Sequence, residues 1–139
     1  MSGRGWWDGY RGIPYLDHGR DRSGCDCWGL VRLVYLEQFG VELPGYGAAY
    51  ECSDLVDIDA ILEGRTIGWS EVQDPRSGDV VLMAVRDRGV RCFHVGLVIN
   101  PRRRQMLHVM TKTSVIVESW AAPAWARRVT GFWRYDARA

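Results

Sequence analysis

Lysine is almost missing from this 139-residue sequence: Lys112 stands alone, and the rest of the positive charge is arginine. The formal charge is only +1, which leaves no global electrostatic footprint for nucleic acid or for an anionic membrane surface. No apolar run approaches the ~20 residues that span a bilayer, so membrane insertion is not expected. The opening Met1-Ser2-Gly3-Arg4-Gly5-Trp6-Trp7-Asp8 carries neither an apolar h-region nor a lipidation signal. The expectation is a protein made in a cytoplasm and not exported by the usual route. Four cysteines, at 25, 27, 52 and 92, are too few and too irregular for a secreted disulfide framework and read as reduced. Repeats, low-complexity tracts and linkers are missing too. Residues 1–139 therefore read as one domain, and 47% hydrophobic content is enough for a core.

What is present is organised around Gly24-Cys25-Asp26-Cys27-Trp28-Gly29-Leu30-Val31. A helix opening there puts Asp26 at the cap and Cys27 on the first turn, where unpaired backbone N–H groups favour a thiolate. Such a thiol is half of a nucleophile–base pair, and the other half must be a histidine. Only His18, His94 and His108 are available.

Residues 1–24, rich in Gly, Arg and Asp, read as a loop-like lead-in; Pro14 forces Ile13 into an extended conformation. The nucleophile helix is expected over residues 25–40, buried on several sides, with Cys27, Leu30, Val31 and Val34 on one stripe. Gly40 and Pro44 stop it. Ser53 is a cap for a short helix over residues 54–63. After the Pro75–Gly78 turn the pattern changes to strands, at 79–85, 90–99, 105–110, 114–119 and 131–135, joined by hairpin-length connections. Helix first and a roughly five-stranded antiparallel sheet over 79–135 afterwards make an α+β fold.

His94 lies in a central strand and His108 on the next, so both imidazoles can share a face. A rigidly held imidazole suits a general base, and a second polar group on its far nitrogen fixes the tautomer. The order Cys…His…His, helix start first and adjacent strands after, is a papain-like arrangement.

These pieces resemble the NlpC-type cysteine peptidases, papain-like enzymes that cut peptidoglycan stem peptides. The resemblance is carried by Pro14-Tyr15, Gly24-Cys25-Asp26-Cys27-Trp28-Gly29-Leu30, Ser77-Gly78-Asp79-Val80-Val81-Leu82, His94-Val95-Gly96-Leu97-Val98-Ile99 and Leu107-His108, in that order. It implies Cys27 as nucleophile, His94 as base and His108 as the residue that orients the imidazole. Tyr15, with Asp26 and Trp28 beside the nucleophile, falls on the oxyanion and substrate side, and the Cys27 N–H is a further oxyanion donor. No metal or cofactor is required. The bond that the resemblance implies lies between D-γ-glutamate and diaminopimelate.

Two stretches depart from the usual pattern. Trp28 stands where a small serine is common, and Asp17-His18-Gly19 replaces a frequent Gly-Gly. The tryptophan is similar to the branch found in phage tail proteins. It leads to the expectation of a peptidase on a virion tail tip, made in the host cytoplasm, with peptidoglycan stem peptides and other tail-tip or hub proteins as partners. The alternative is a structural tail-tip plug or assembly protein with latent chemistry. An amidase or acyltransferase of the same superfamily fits the unpermuted Cys…His…His order less well. A zinc site through Cys25, Cys27 and the histidines lacks the usual ligand spacing. Arg86, Arg88, Arg91 and Arg102–Arg104 read as solvated turn charge, and His18 as a surface loop residue. Trp120 and Trp125 are candidates for exposure, suited to a protein interface or a sugar-stacking surface.

Overall fold

A computed structural model of the chain describes residues 5–43, 69–87 and 89–136. The helix expected over 54–63 lies outside the described residues. The lead-in opens with a short 3-10 helix, Trp6–Tyr10, and continues into strands β1 (Arg20–Asp21) and β2 (Gly24–Cys25). Helix α1 spans Cys27–Phe39, and β3 (Trp69–Val72), β4 (Val80–Asp87), β5 (Val90–Asn100), β6 (Gln105–His108), β7 (Ile116–Ser119) and β8 (Val129–Tyr135) follow. The α+β expectation holds, with the helix ahead of the sheet.

The main sheet has the order β3-β8-β4-β5-β6-β7, and every pair in it is antiparallel. The expected strands are all there with shifted ends. β3, four residues long, is the addition, and it pairs with the chain-terminal strand β8 from Trp69↔Tyr135 to Val72↔Phe132. Beside this sheet, β1 and β2 form a two-stranded ribbon.

Strand alternation divides the interior in two. One cluster joins Leu30, Val31, Val34 and Tyr35 of α1 to Val80, Leu82, Val95, Leu97 and Leu107 of the sheet. The second gathers the alternating residues Val81, Met83, Val98 and Met106 with Trp120 and Trp125. Those two tryptophans are thus buried, against the expectation of exposure: the segment after β7 folds back over the sheet and covers its second face. Trp120 sits edge-on to Phe132, at 5.2 Å between ring centroids.

The lead-in is more ordered than its composition suggests. Val115 N–H donates to Ile13 O (2.8 Å), Tyr15 N–H to Thr113 O (3.0 Å) and Cys25 N–H to Pro14 O (3.1 Å). Residues 12–15 therefore bridge the segment after β6 and the strand that feeds α1. These bonds fix where the helix begins.

The turn at Ser77-Gly78-Asp79 is a second node. Trp6 Nε1 donates to Ser77 Oγ (2.9 Å), the Tyr35 hydroxyl to Gly78 O (2.7 Å), and Arg134 to both carboxylate oxygens of Asp79 (2.9 and 2.8 Å). The lead-in, α1 and β8 all anchor on three consecutive residues.

Candidate active site

The start of α1 is built by its cap. Asp26 Oδ1 accepts from Gly29 N (2.7 Å), and Oδ2 accepts from His18 N (3.0 Å). One buried carboxylate thus satisfies a helix N-terminal donor and holds the preceding loop. Burial pushes the Asp26 carboxyl up, and the bonds from Gly29 and His18 oppose that shift. Both oxygens are committed to this chain's own backbone, so Asp26 acts by holding the helix start.

Gly29 is where the motif shows its physical cause. A Cβ built there would stand 1.9 Å from the Gly19 carbonyl oxygen, far inside contact distance. Only glycine lets the first turn of α1 lie against this loop. In an ordinary helix position Gly→Ala would add about 1 kcal/mol of stability. Here Gly29→Ala is expected to lose about 1–3 kcal/mol through overpacking, read from urea unfolding. A variant as stable as the parent would refute the close approach.

Cys27 is the first residue of α1 and is fully buried. Cys25, two residues earlier, is buried as well, and burial with the charges of Asp26 and Asp21 pushes its thiol up to about 12. At that value it stays protonated and unreactive at neutral pH. Tyr15 forms a bridge with Cys25, and its hydroxyl reaches Asp17 Oδ1 at 3.4 Å, so it stands beside the strand that leads to Cys27. Trp28, expected on the substrate side, is 2% exposed and packs on Trp69 at 6.2 Å between ring centroids. In this structure it is part of the core. His18 remains a loop residue, its side chain about half exposed and close to Asp17.

His94 and His108 meet directly. His94 Nε2 and His108 Nδ1 are 2.8 Å apart, and both rings are buried. Gly96, between them on the same face, makes room: a Cβ there would come within 3.3 Å of the His108 Cβ and 3.2 Å of the Met106 sulfur. His94 Nδ1 makes no hydrogen bond among the described residues. The structure therefore joins the two histidines and puts Cys27 at a helix start.

Two further residues complete the group, and neither was singled out for it from the sequence. Glu118 on β7 is 2.8 Å from His108 Nε2 through Oε1, and the same oxygen accepts from Trp125 Nε1 (3.0 Å). Trp125 stacks on His94 at 5.4 Å between ring centroids with 24° between planes, and stands edge-on to His108. The available signal was the period of β7, which places Glu118 opposite Met106 and two residues from the partner of His108.

Burial holds His94 well below its ordinary 6.5, with the neighbouring His108 adding to the shift. Burial also lowers His108, although the bond and charge of Glu118 act the other way. Both imidazoles are therefore neutral at neutral pH. The unfolded chain binds protons near pH 6.5 that the folded chain refuses, so their contribution to stability is complete above 6.5 and is lost as pH falls. Between pH 6.5 and 5 the folding free energy is expected to drop by up to about 1.4 kcal/mol per pH unit for each histidine. His94→Gln should flatten that slope in urea melts. An equal slope in the variant would assign it elsewhere.

The sequence profile of the NlpC/P60 family matches residues 12–134. The chain belongs to the NlpC/P60 family. A murein DD-endopeptidase/murein LD-carboxypeptidase of Escherichia coli, MepS, is 32% identical over 119 residues, covering 86% of this chain and 54% of its own length. A probable endopeptidase of Haemophilus influenzae is 25% identical, covering 90% of this chain and 66% of that protein. The chain thus spans about half to two thirds of these curated relatives. Among solved structures, the NlpC/P60 domain of the peptidoglycan hydrolase SagA superposes with a TM-score of 0.60 at 24% identity, over 89% of this chain and 88% of that one. A lipoprotein-like NLP/P60 family protein of Staphylococcus aureus gives 0.63 at 20% identity, over 91% of this chain and 38% of that one. These likenesses identify the fold that the helix and sheet build.

Proposed function

We propose that this NlpC/P60 protein is a cysteine endopeptidase that cuts peptidoglycan stem peptides. The observation that carries the reading is the buried His94–His108 pair, whose His94 Nδ1 makes no hydrogen bond among the described residues, together with the capped helix start at Cys27. In this reading Cys27 Sγ attacks the amide carbonyl while His94 Nδ1 takes the thiol proton. The imidazolium, held by His108, then returns that proton to the leaving amine, and water hydrolyses the thioester. The Cys27 backbone N–H, at the helix start, faces the developing oxyanion, with Tyr15 beside it. Catalytic hydrogen bonds of this kind tighten in the substrate complex.

The bond we assign is D-γ-glutamyl–diaminopimelate. Names attached to the Escherichia coli relative point to other bonds of the same stem peptides, so product masses decide. The purified protein is incubated with defined muropeptides, beside Cys27→Ala, and the products are read by mass spectrometry. Fragments ending in γ-glutamate, absent with the variant, are the expected result. Cleavage at a D,D cross-link would keep the peptidase and change its bond. The setting we propose is the tail tip of a phage or phage-like particle, supported by the tryptophan at position 28. Copurification with particles tests it.

A second reading, a structural tail-tip component with latent chemistry, is favoured by one observation: neither Cys27 nor His94 presents surface to solvent. Absence of product from the free protein together with cleavage by intact particles would mark an enzyme active only when assembled. Absence from both would leave the structural role.

A further inference from the structure

We propose that Glu118 is a positioning residue that sets where the protons sit on His108 and His94, and that Trp125 holds Glu118 in place for it. The inference rests on the Cys27–His94 reading above.

A carboxylate accepts and cannot donate, so the 2.8 Å contact to Glu118 Oε1 requires a proton on His108 Nε2. A neutral His108 then has a lone pair on Nδ1. The 2.8 Å contact from Nδ1 to His94 Nε2 therefore requires the proton of His94 to sit on Nε2. One atom remains. His94 Nδ1 carries a lone pair, and it is the one imidazole nitrogen of the pair that makes no hydrogen bond among the described residues. The proton placement that a general base needs at Nδ1 is thus dictated from the far end of a three-residue chain.

Without Glu118, His108 has two tautomers of similar energy, and the one protonated on Nδ1 turns His94 round, leaving the proton on the nitrogen that should be bare. Trp125 restricts the alternatives. Its Nε1–H occupies the same carboxylate oxygen (3.0 Å), and its ring covers the face of His94. Among the described residues, Trp125 and the Glu118 carboxylate on β7 contact the pair. Glu118 touches no reacting atom. Its effect runs through His108.

The test compares Glu118→Ala, Glu118→Gln and Trp125→Phe in the full chain, with two readouts. On muropeptide cleavage, Glu118→Ala is expected to lower kcat by at least about tenfold with KM little changed. Glu118→Gln, whose amide oxygen can accept from both donors, should recover most of it. Trp125→Phe keeps the stack and loses one bond, so it should fall between them. The second readout is histidine ring nitrogen NMR of the resting protein. Both His94 and His108 should show Nε2–H in the parent and in Glu118→Gln, and mixed tautomers in Glu118→Ala. Unchanged tautomers in Glu118→Ala overturn the proposal, as does a Glu118→Gln protein as slow as Glu118→Ala. If the alanine variant does not fold, the glutamine variant and Trp125→Phe still decide. The NMR result stands whether or not a peptide is cut, so failure of the positioning role and failure of the peptidase reading are separable.

Discussion

Cys27→Ala is expected to lower peptide cleavage by at least about a thousandfold, while Cys25→Ala stays close to the parent rate. The contrast is sharp because the two thiols are two residues apart and both buried. Their positions differ in kind. Cys25 lies in β2, before the cap, where burial and two acidic neighbours hold its thiol protonated. Cys27 opens α1, at the positive end of the helix dipole, which favours a sulfur anion. Loss of a small buried thiol at position 25 should cost stability, about 1 kcal/mol, and little else. Thermal melts taken beside the rates separate the two effects. Cys27→Ala must melt close to the parent for its lost activity to be chemical. Equal losses for both variants would point to packing around the helix start, and a Cys27→Ala protein that still turns over would remove the nucleophile from the proposal.

The parts of this molecule that were legible in its sequence are those with local causes. Asp26 before Cys27 reads as a cap because a short acceptor side chain reaches the N–H three residues on, and the structure has that bond at 2.7 Å. The strands from Val80 onward read as strands because short apolar runs lie between turn residues. His94 and His108 could be placed on one face because neighbouring antiparallel strands can bring such side chains together. What stayed hidden depends on partners distant in sequence. β3 is four residues with no alternation of its own, and it is a strand because β8 lies beside it. Glu118 was not singled out, since its meaning comes from the β6–β7 register and from Trp125. Trp125 in turn looked exposed beside Ala and Pro; what buries it is the return of its segment across the sheet. Trp28 is the converse case: its place next to the nucleophile suggested a substrate contact, and Trp69, 41 positions away, is what it packs on.

Asp79→Ala is expected to be the most destabilising single substitution in the sheet, by about 3–5 kcal/mol. Asp79 has no exposed surface, yet it carries a carboxylate immediately before β4. That charge is sustained by two bonds from Arg134 on β8 and by the Arg76 N–H at 2.7 Å. The neighbouring Asp holds the Arg134 guanidinium above its usual range. Removing the carboxylate leaves a guanidinium that is only 18% exposed without its anion, and an orphaned N–H in the turn. Asp79→Asn keeps the turn acceptor and one bond to Arg134, so its loss should be smaller. Arg134→Met strands the buried carboxylate, and should approach the alanine variant. A double-mutant cycle with Asp79→Ala and Arg134→Met isolates the pair: strong coupling is expected, because either partner alone is worse than neither. Urea unfolding of the four proteins measures it. An Asp79→Ala protein within about 0.5 kcal/mol of the parent would mean that the turn is held by Tyr35 and Trp6 instead, through Gly78 and Ser77. Since that turn anchors α1 as well as β8, the destabilised variant should also lose cleavage at temperatures below its melting point, as the helix start carrying Cys27 shifts against the strands carrying His94 and His108.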